Sequence, residues 1–170
     1  MSNSHKQVPA KITQYVDSGV KELVELINSF TLISTTSSCE GTNGKFRGHV
    51  YIQCSYDEVF GFNDTPMEQE IPQTGILAEF SQILFNTLHK HQFIDRTKEY
   101  GYGNDLIGDI KLELSWDADE LNCIYKYPTL ILDFPTKRLK ELTSIIKEYS
   151  KTIAGTWESN LKRHNIEGYD

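Results

Sequence analysis

Residues 48–55 read GHVYIQCS, and this stretch decides the fold. Side chains alternate along it. Val50, Ile52 and Cys54 point one way; His49, Tyr51 and Gln53 point the other. That is the period-two pattern of a half-buried strand. Residues 109–116, DIKLELSW, repeat it. Ile110, Leu112, Leu114 and Trp116 read as inward; Lys111, Glu113 and Ser115 read as outward. Asp117, Asp119 and Glu120 supply a turn. Residues 121–127 (LNCIYKY) and 129–134 (TLILDF) are further strand candidates, with Pro128 between them to break or edge the pairing. Short turns join these later strands, so they are expected to be antiparallel.

Working outward, three segments carry the three- and four-residue spacing of helices. Residues 9–30 hold the first, with Val20, Leu23, Val24, Ile27 and Phe30 on one face. Gly19 weakens continuity there, and Ser18 can cap a separate second helix. Residues 75–88 hold the next, with Ile76, Leu77, Phe80, Ile83, Leu84 and Leu88 buried. The last runs from Leu139 through Leu142, Ile146, Tyr149, Ile153 and Trp157 to Leu161, about seven turns, with Gly155 as a weak point. Its wide stripe covers the sheet or, in part, a homodimer contact. Residues 61–75 hold Pro66 and Pro72 and read as a surface loop. Residues 100–108 (YGYGNDLIG) read as a flexible loop or a lid. The order predicts an α+β fold: a mostly antiparallel sheet with two or three helices packed on one face.

The chain has 170 residues, 38% of them hydrophobic. That suits one domain, placed at residues 9–170, after a disordered N-terminal tail at 1–8. The net charge of −7 argues against a broad nucleic-acid footprint. No apolar stretch reaches the length of a membrane span and no signal peptide opens the chain, so a soluble cytoplasmic protein without membrane contact is expected. Cys39, Cys54 and Cys123 form no CxxC pair and read as reduced thiols.

Between the first helix and the GHVYIQCS strand lies TTSSCEG, residues 35–41, followed by the Asn-Gly loop signal TNGK. Two readings stand. Ser and Thr hydroxyls tighten turns, and Cys is commonly buried. Alternatively, hydroxyls and close-spaced backbone N–H groups ligate an anion or a small polar ligand, with Gly41 allowing close approach. Lys45, Arg47 and His49 form a basic cluster just downstream, able to meet a phosphate or carboxylate or simply to balance surface acids. Lys137, Arg138 and Lys140 form a second. Cys39 becomes a nucleophile or redox thiol only if its pKa is lowered. A metal site is not expected: His49 and Cys54 point to opposite faces, and Cys39 would have to fold back to meet either. His89 and His91 read as solvated groups near a helix C-terminus.

The run LVELINSF-TLISTTSSCEG resembles the N-terminal signature of the tRNA wybutosine-synthesis methyltransferase family. The matching positions are Leu26, Ile27, Asn28 and Ser29, then Thr35, Thr36, Ser37, Ser38, Cys39 and Gly41. Glu40 replaces a serine of the family pattern. The resemblance implies an α+β fold, S-adenosylmethionine as cofactor, and RNA or a small molecule as partner. It implies that the Ser-Cys segment borders the site. On this reading Thr35, Thr36, Ser37, Ser38, Cys39, Glu40, Gly41, Arg47 and His49 bind the ligand. Arg47 neutralises negative charge, and Cys39 shapes the site rather than attacking. The rival expectation is a non-catalytic acidic module, of phage or immunity type, that binds another protein.

Overall fold

A computed structural model describes residues 7–9, 15–42, 46–54, 66–91, 110–115 and 129–164. Strands β1 (Gln7–Pro9) and β2 (Tyr15–Asp17) form a small antiparallel ribbon. Gln7 and Val8, assigned from sequence to the loose tail, therefore sit in a strand. Helix α1 (Lys21–Ile27) follows, then β3 (Ile33–Cys39) and β4 (Gly48–Cys54). Next come the long helix α2 (Pro66–Lys90), β5 (Lys111–Ser115) and β6 (Thr129–Phe134). A 3-10 turn (Thr136–Arg138) leads into helix α3 (Leu139–Arg163).

The main sheet has the order β3-β4-β6-β5 and is antiparallel throughout. One face carries Val50, Ile52, Leu130, Leu132 and Phe134, all fully buried against the helices. Each such side chain contributes roughly 1.5–3 kcal/mol by leaving water. The helices bring Leu23 and Ile27 from α1, Phe80 and Leu84 from α2, and Leu142 and Ile146 from α3. Phe80 sits 5.5 Å from the Phe30 ring and 5.2 Å, edge-on, from Trp157. The fold is α+β, as expected, and the GHVYIQCS alternation holds.

Three expectations need correction. First, 35–39 is not a loop. It belongs to β3, which pairs with β4 along its length. The alternation was hidden by a β-bulge at Thr36, which shifts the register between Thr35 and Ser37. Ile33 and Thr35 face the core before it, and Ser38, opposite Val50, takes the core side after it. Second, among the described residues of the first helical pattern, only Lys21–Ile27 is helical. Its N-cap is Val20, without a side-chain cap, because Ser18 and Gly19 serve a turn closed by Val20 N–H donating to Asp17 O. Third, α2 starts at Pro66 rather than near 75. A proline at the first helical position gives up an N–H that had no partner anyway. Pro72, inside the helix, does forfeit a backbone hydrogen bond. The segments 100–108 and 117–127 lie outside the described residues, so the lid and the LNCIYKY strand stay expectations.

Candidate functional site

The two ends of β3 differ. At the start, the Trp157 indole donates to Thr31 O at 2.7 Å. Leu32 takes a left-handed backbone, φ 60°, a conformation that costs a non-glycine residue about 1–2 kcal/mol. Asn28 then clamps Thr35 from both sides. Its Oδ1 accepts the Thr35 N–H at 2.7 Å, and its Nδ2 donates to Thr35 Oγ1 at 3.0 Å. Thr35 is buried, so neither of its polar groups is offered to a ligand.

At the other end, Cys39, Glu40 and Gly41 turn the chain toward β4. Gly41 has φ +77°, and a Cβ there would lie 2.5 Å from Thr136 Oγ1 and 2.6 Å from Gly48 N. Only glycine fits this turn. Gly41 N–H donates to Cys39 Sγ at 3.4 Å, and Glu40 N–H donates to Asp17 Oδ2 at 3.2 Å. Glu40 Oε2 in turn accepts the Gly19 N–H at 2.7 Å, which ties the β2–α1 turn to the end of β3. The hairpin continues through a mutual pair between Thr42 and Phe46, both bonds 3.0 Å. Thr136 Oγ1 also donates to Phe46 O at 3.4 Å.

Because β3 is a strand, Cys39 is the cross-strand partner of His49, and Asp133 is the partner on the other side. Paired residues share a face, which is the open face of the sheet. Cys39 thus does fold back to meet His49. Cys54 sits at the opposite end, beside Ile33. Among the described residues, no group of three or more His, Cys, Asp or Glu is placed to hold a metal ion. Arg47 forms an ion pair with the Asp133 carboxylate through Nε, and its Nη2 reaches Asp133 O at 3.4 Å. The His49 ring lies 4.8 Å from Tyr51, tilted by 35°.

The electrostatics discourage nucleophilic chemistry. Burial pushes the Cys39 thiol up. The Gly41 N–H opposes this, but the Asp17 and Glu40 carboxylates add to it. Burial pushes His49 down, against the pull of Asp133 and Asp17. A protonated thiol beside a neutral imidazole is the reverse of the thiolate–imidazolium pair that attacks substrates.

Of the nine sequence-predicted residues, Cys39, Glu40, Gly41, Arg47 and His49 gather at this one end. Thr36 is exposed at the bulge, Ser37 faces outward opposite Tyr51, Ser38 faces the core side, and Thr35 is committed to Asn28. Sequence reading missed Asp17, Phe46, Asp133 and Thr136. It noted Lys137, Arg138 and Lys140, but as a separate cluster. The pairing of Gly48 with Phe134 brings that cluster to the hairpin, and no local signal encodes a contact between residues 90 apart. Arg138 is held by Glu141 at 2.8 Å. Lys137 and Lys140 are exposed and make no ion pair among the described residues. Lys45 lies outside those residues. His89 stacks on Phe85 and His91 packs on Tyr149, well apart in role from this site. Among the described residues no helix is long and apolar enough to cross a membrane. No family model, curated protein or solved structure matches this chain.

Proposed function

We propose that the protein is a binding protein that holds a small anionic, polar ligand at the β3–β4 hairpin end of its sheet. The observation that carries this reading is the approach of the second basic cluster, through Thr136, to the hairpin end that carries Arg47. The Thr136–Phe46 contact sets Lys137, the next residue, beside the turn that holds Gly41 and Arg47, and Lys140 follows in the first turn of α3. Arg47 and Arg138 already have carboxylate partners, whereas the two lysines supply charge that nothing described here neutralises. An incoming carboxylate or phosphate would be held by charge-assisted hydrogen bonds.

S-adenosylmethionine, the cofactor the resemblance implies, is the first candidate, since it carries a carboxylate. The residues fit it only in part. Cations and flat rings are present, but the hydroxyl cradle is not, because Thr35 bonds to Asn28 and Ser38 turns to the core side. No methyl-transfer step is therefore assigned. A second reading, the acidic protein-binding module, draws support from Phe46, which is 67% exposed.

Melting temperature tests the first reading. A ligand that binds only the native state raises it. S-adenosylmethionine and inorganic phosphate are titrated separately at constant ionic strength, against wild type and Lys137→Ala/Lys140→Ala. A dose-dependent rise in wild type that disappears in the double variant supports the anion site. No rise at millimolar ligand, or an equal rise in both proteins, overturns it.

A further inference from the structure

Phe46 is unusual for its company rather than for its exposure, since single exposed apolar residues are common. It is the one large hydrophobic side chain exposed among the described residues. Its backbone is fixed on both sides by Thr42 and again by Thr136. The backbone under the ring is therefore held in place, so docking against it orders the side chain but not the main chain. Next to it in the chain is Arg47, whose charge is taken by Asp133. Across the Thr136 contact are the exposed Lys137 and Lys140. The nearby carboxylates are occupied: Asp17 accepts from Glu40, Glu40 from Gly19, and Glu141 from Arg138.

We propose that the ligand of this site is a nucleotide unit, with its flat base stacked on Phe46 and its phosphate held by Lys137 and Lys140. This rests on the anion-site reading above and adds the base to it. An aromatic face beside exposed cations is the combination that recognises a base joined to a phosphate, because every base has a π-face and every nucleotide a nearby negative charge. The competing occupants fit less well. A lipid surface calls for a broad apolar face with basic residues, and among the described residues Phe46 is the one large apolar side chain exposed. A long polyanion meets a chain of net charge −7, which repels it outside this one patch. The free mononucleotide is accordingly the source the charge favours, over a single strand.

The test is isothermal titration of the full chain with AMP, ribose 5-phosphate and a ten-residue oligoadenylate, each at two salt concentrations. AMP is expected to bind about tenfold more tightly than ribose 5-phosphate, the scale of one base stacked on one aromatic ring. Phe46→Ala should erase that difference, Phe46→Trp should keep it, and Lys137→Ala/Lys140→Ala should weaken both sugar phosphates alike. Oligoadenylate that binds no more tightly per site than AMP points to a free nucleotide. Tighter binding with a steeper salt dependence points to a strand, and both results support the base-and-phosphate chemistry. If AMP and ribose 5-phosphate bind wild type equally, or if Phe46→Ala leaves their ratio unchanged, the stacking proposal is overturned while the anion site survives. If none of the three binds, both fail. Circular dichroism of each variant confirms that the fold is kept, and Phe46→Leu provides a second variant that retains bulk without an aromatic face.

Discussion

The start and the end of β3 use the same kinds of side chain for different ends. At Thr35, hydroxyl and amide are buried and spent on Asn28. At Cys39–Gly41, polar groups border a turn that approaches Thr136, the chain neighbour of Lys137. The three residues between them pass through a bulge that reverses which side chains face the core. A Ser/Thr-rich run is therefore not one site. Its first half is structure, and only its last three residues belong to the candidate site. Polar composition alone does not distinguish the two roles; strand register does.

The contrast can be broken at either end. The largest effect is expected at the anchored start. Trp157→Ala removes a fully buried ring and orphans Thr31 O, and urea titration should show a loss of about 3–5 kcal/mol. Gly41→Ala attacks the open end. It combines a left-handed backbone with a Cβ forced against Thr136 and Gly48, so about 2 kcal/mol should be lost, together with any ligand-induced rise in melting temperature. Asn28→Ala leaves the buried Thr35 N–H without its acceptor and should cost about 1–2 kcal/mol while leaving ligand binding intact.

The thiols sharpen the contrast without breaking the fold. Burial drives Cys54 up to about 12, whereas Cys39, at the open end, is raised less. In a Cys123→Ser background, iodoacetamide at pH 8 should label a free thiol fastest, Cys39 more slowly and Cys54 slowest. Rapid labelling of Cys39 near neutral pH would instead support a redox role. The smallest effect concerns His49. Its folded pKa lies below the ordinary 6.5, so between those values the unfolded chain binds more protons. Stability should therefore fall as pH drops below about 6.5, and His49→Gln should flatten that part of the curve measured by urea titration at several pH values.

Much of this was legible in the sequence. Val50 and Ile52 read as inward and are fully buried, and the stripe from Leu139 to Leu161 became α3. The antiparallel pairing of β5 with β6 also followed the pattern. What failed has local causes. A bulge at Thr36 spoils a period-two count, and a proline at the start of α2 looks like a loop. The candidate site was half legible. Arg47, His49 and Gly41 were named, but Asp133 and Lys137 arrive by way of the β4–β6 ladder, which only the three-dimensional pairing reveals. That Cys39 folds back to meet His49 was equally out of reach of the sequence, since their adjacency depends on β3 being a strand.

The most direct test of the central claim is an amide nitrogen–proton NMR titration of the labelled protein with inorganic phosphate at fixed pH and ionic strength. The account predicts that the amides of Gly41, Phe46, Arg47, Thr136 and Lys137 shift together along one saturable curve, while those of Asn28, Thr35 and Cys54 stay still. Saturable shifts centred on Thr35 and Ser37, or uniform small shifts across the whole chain, would contradict it.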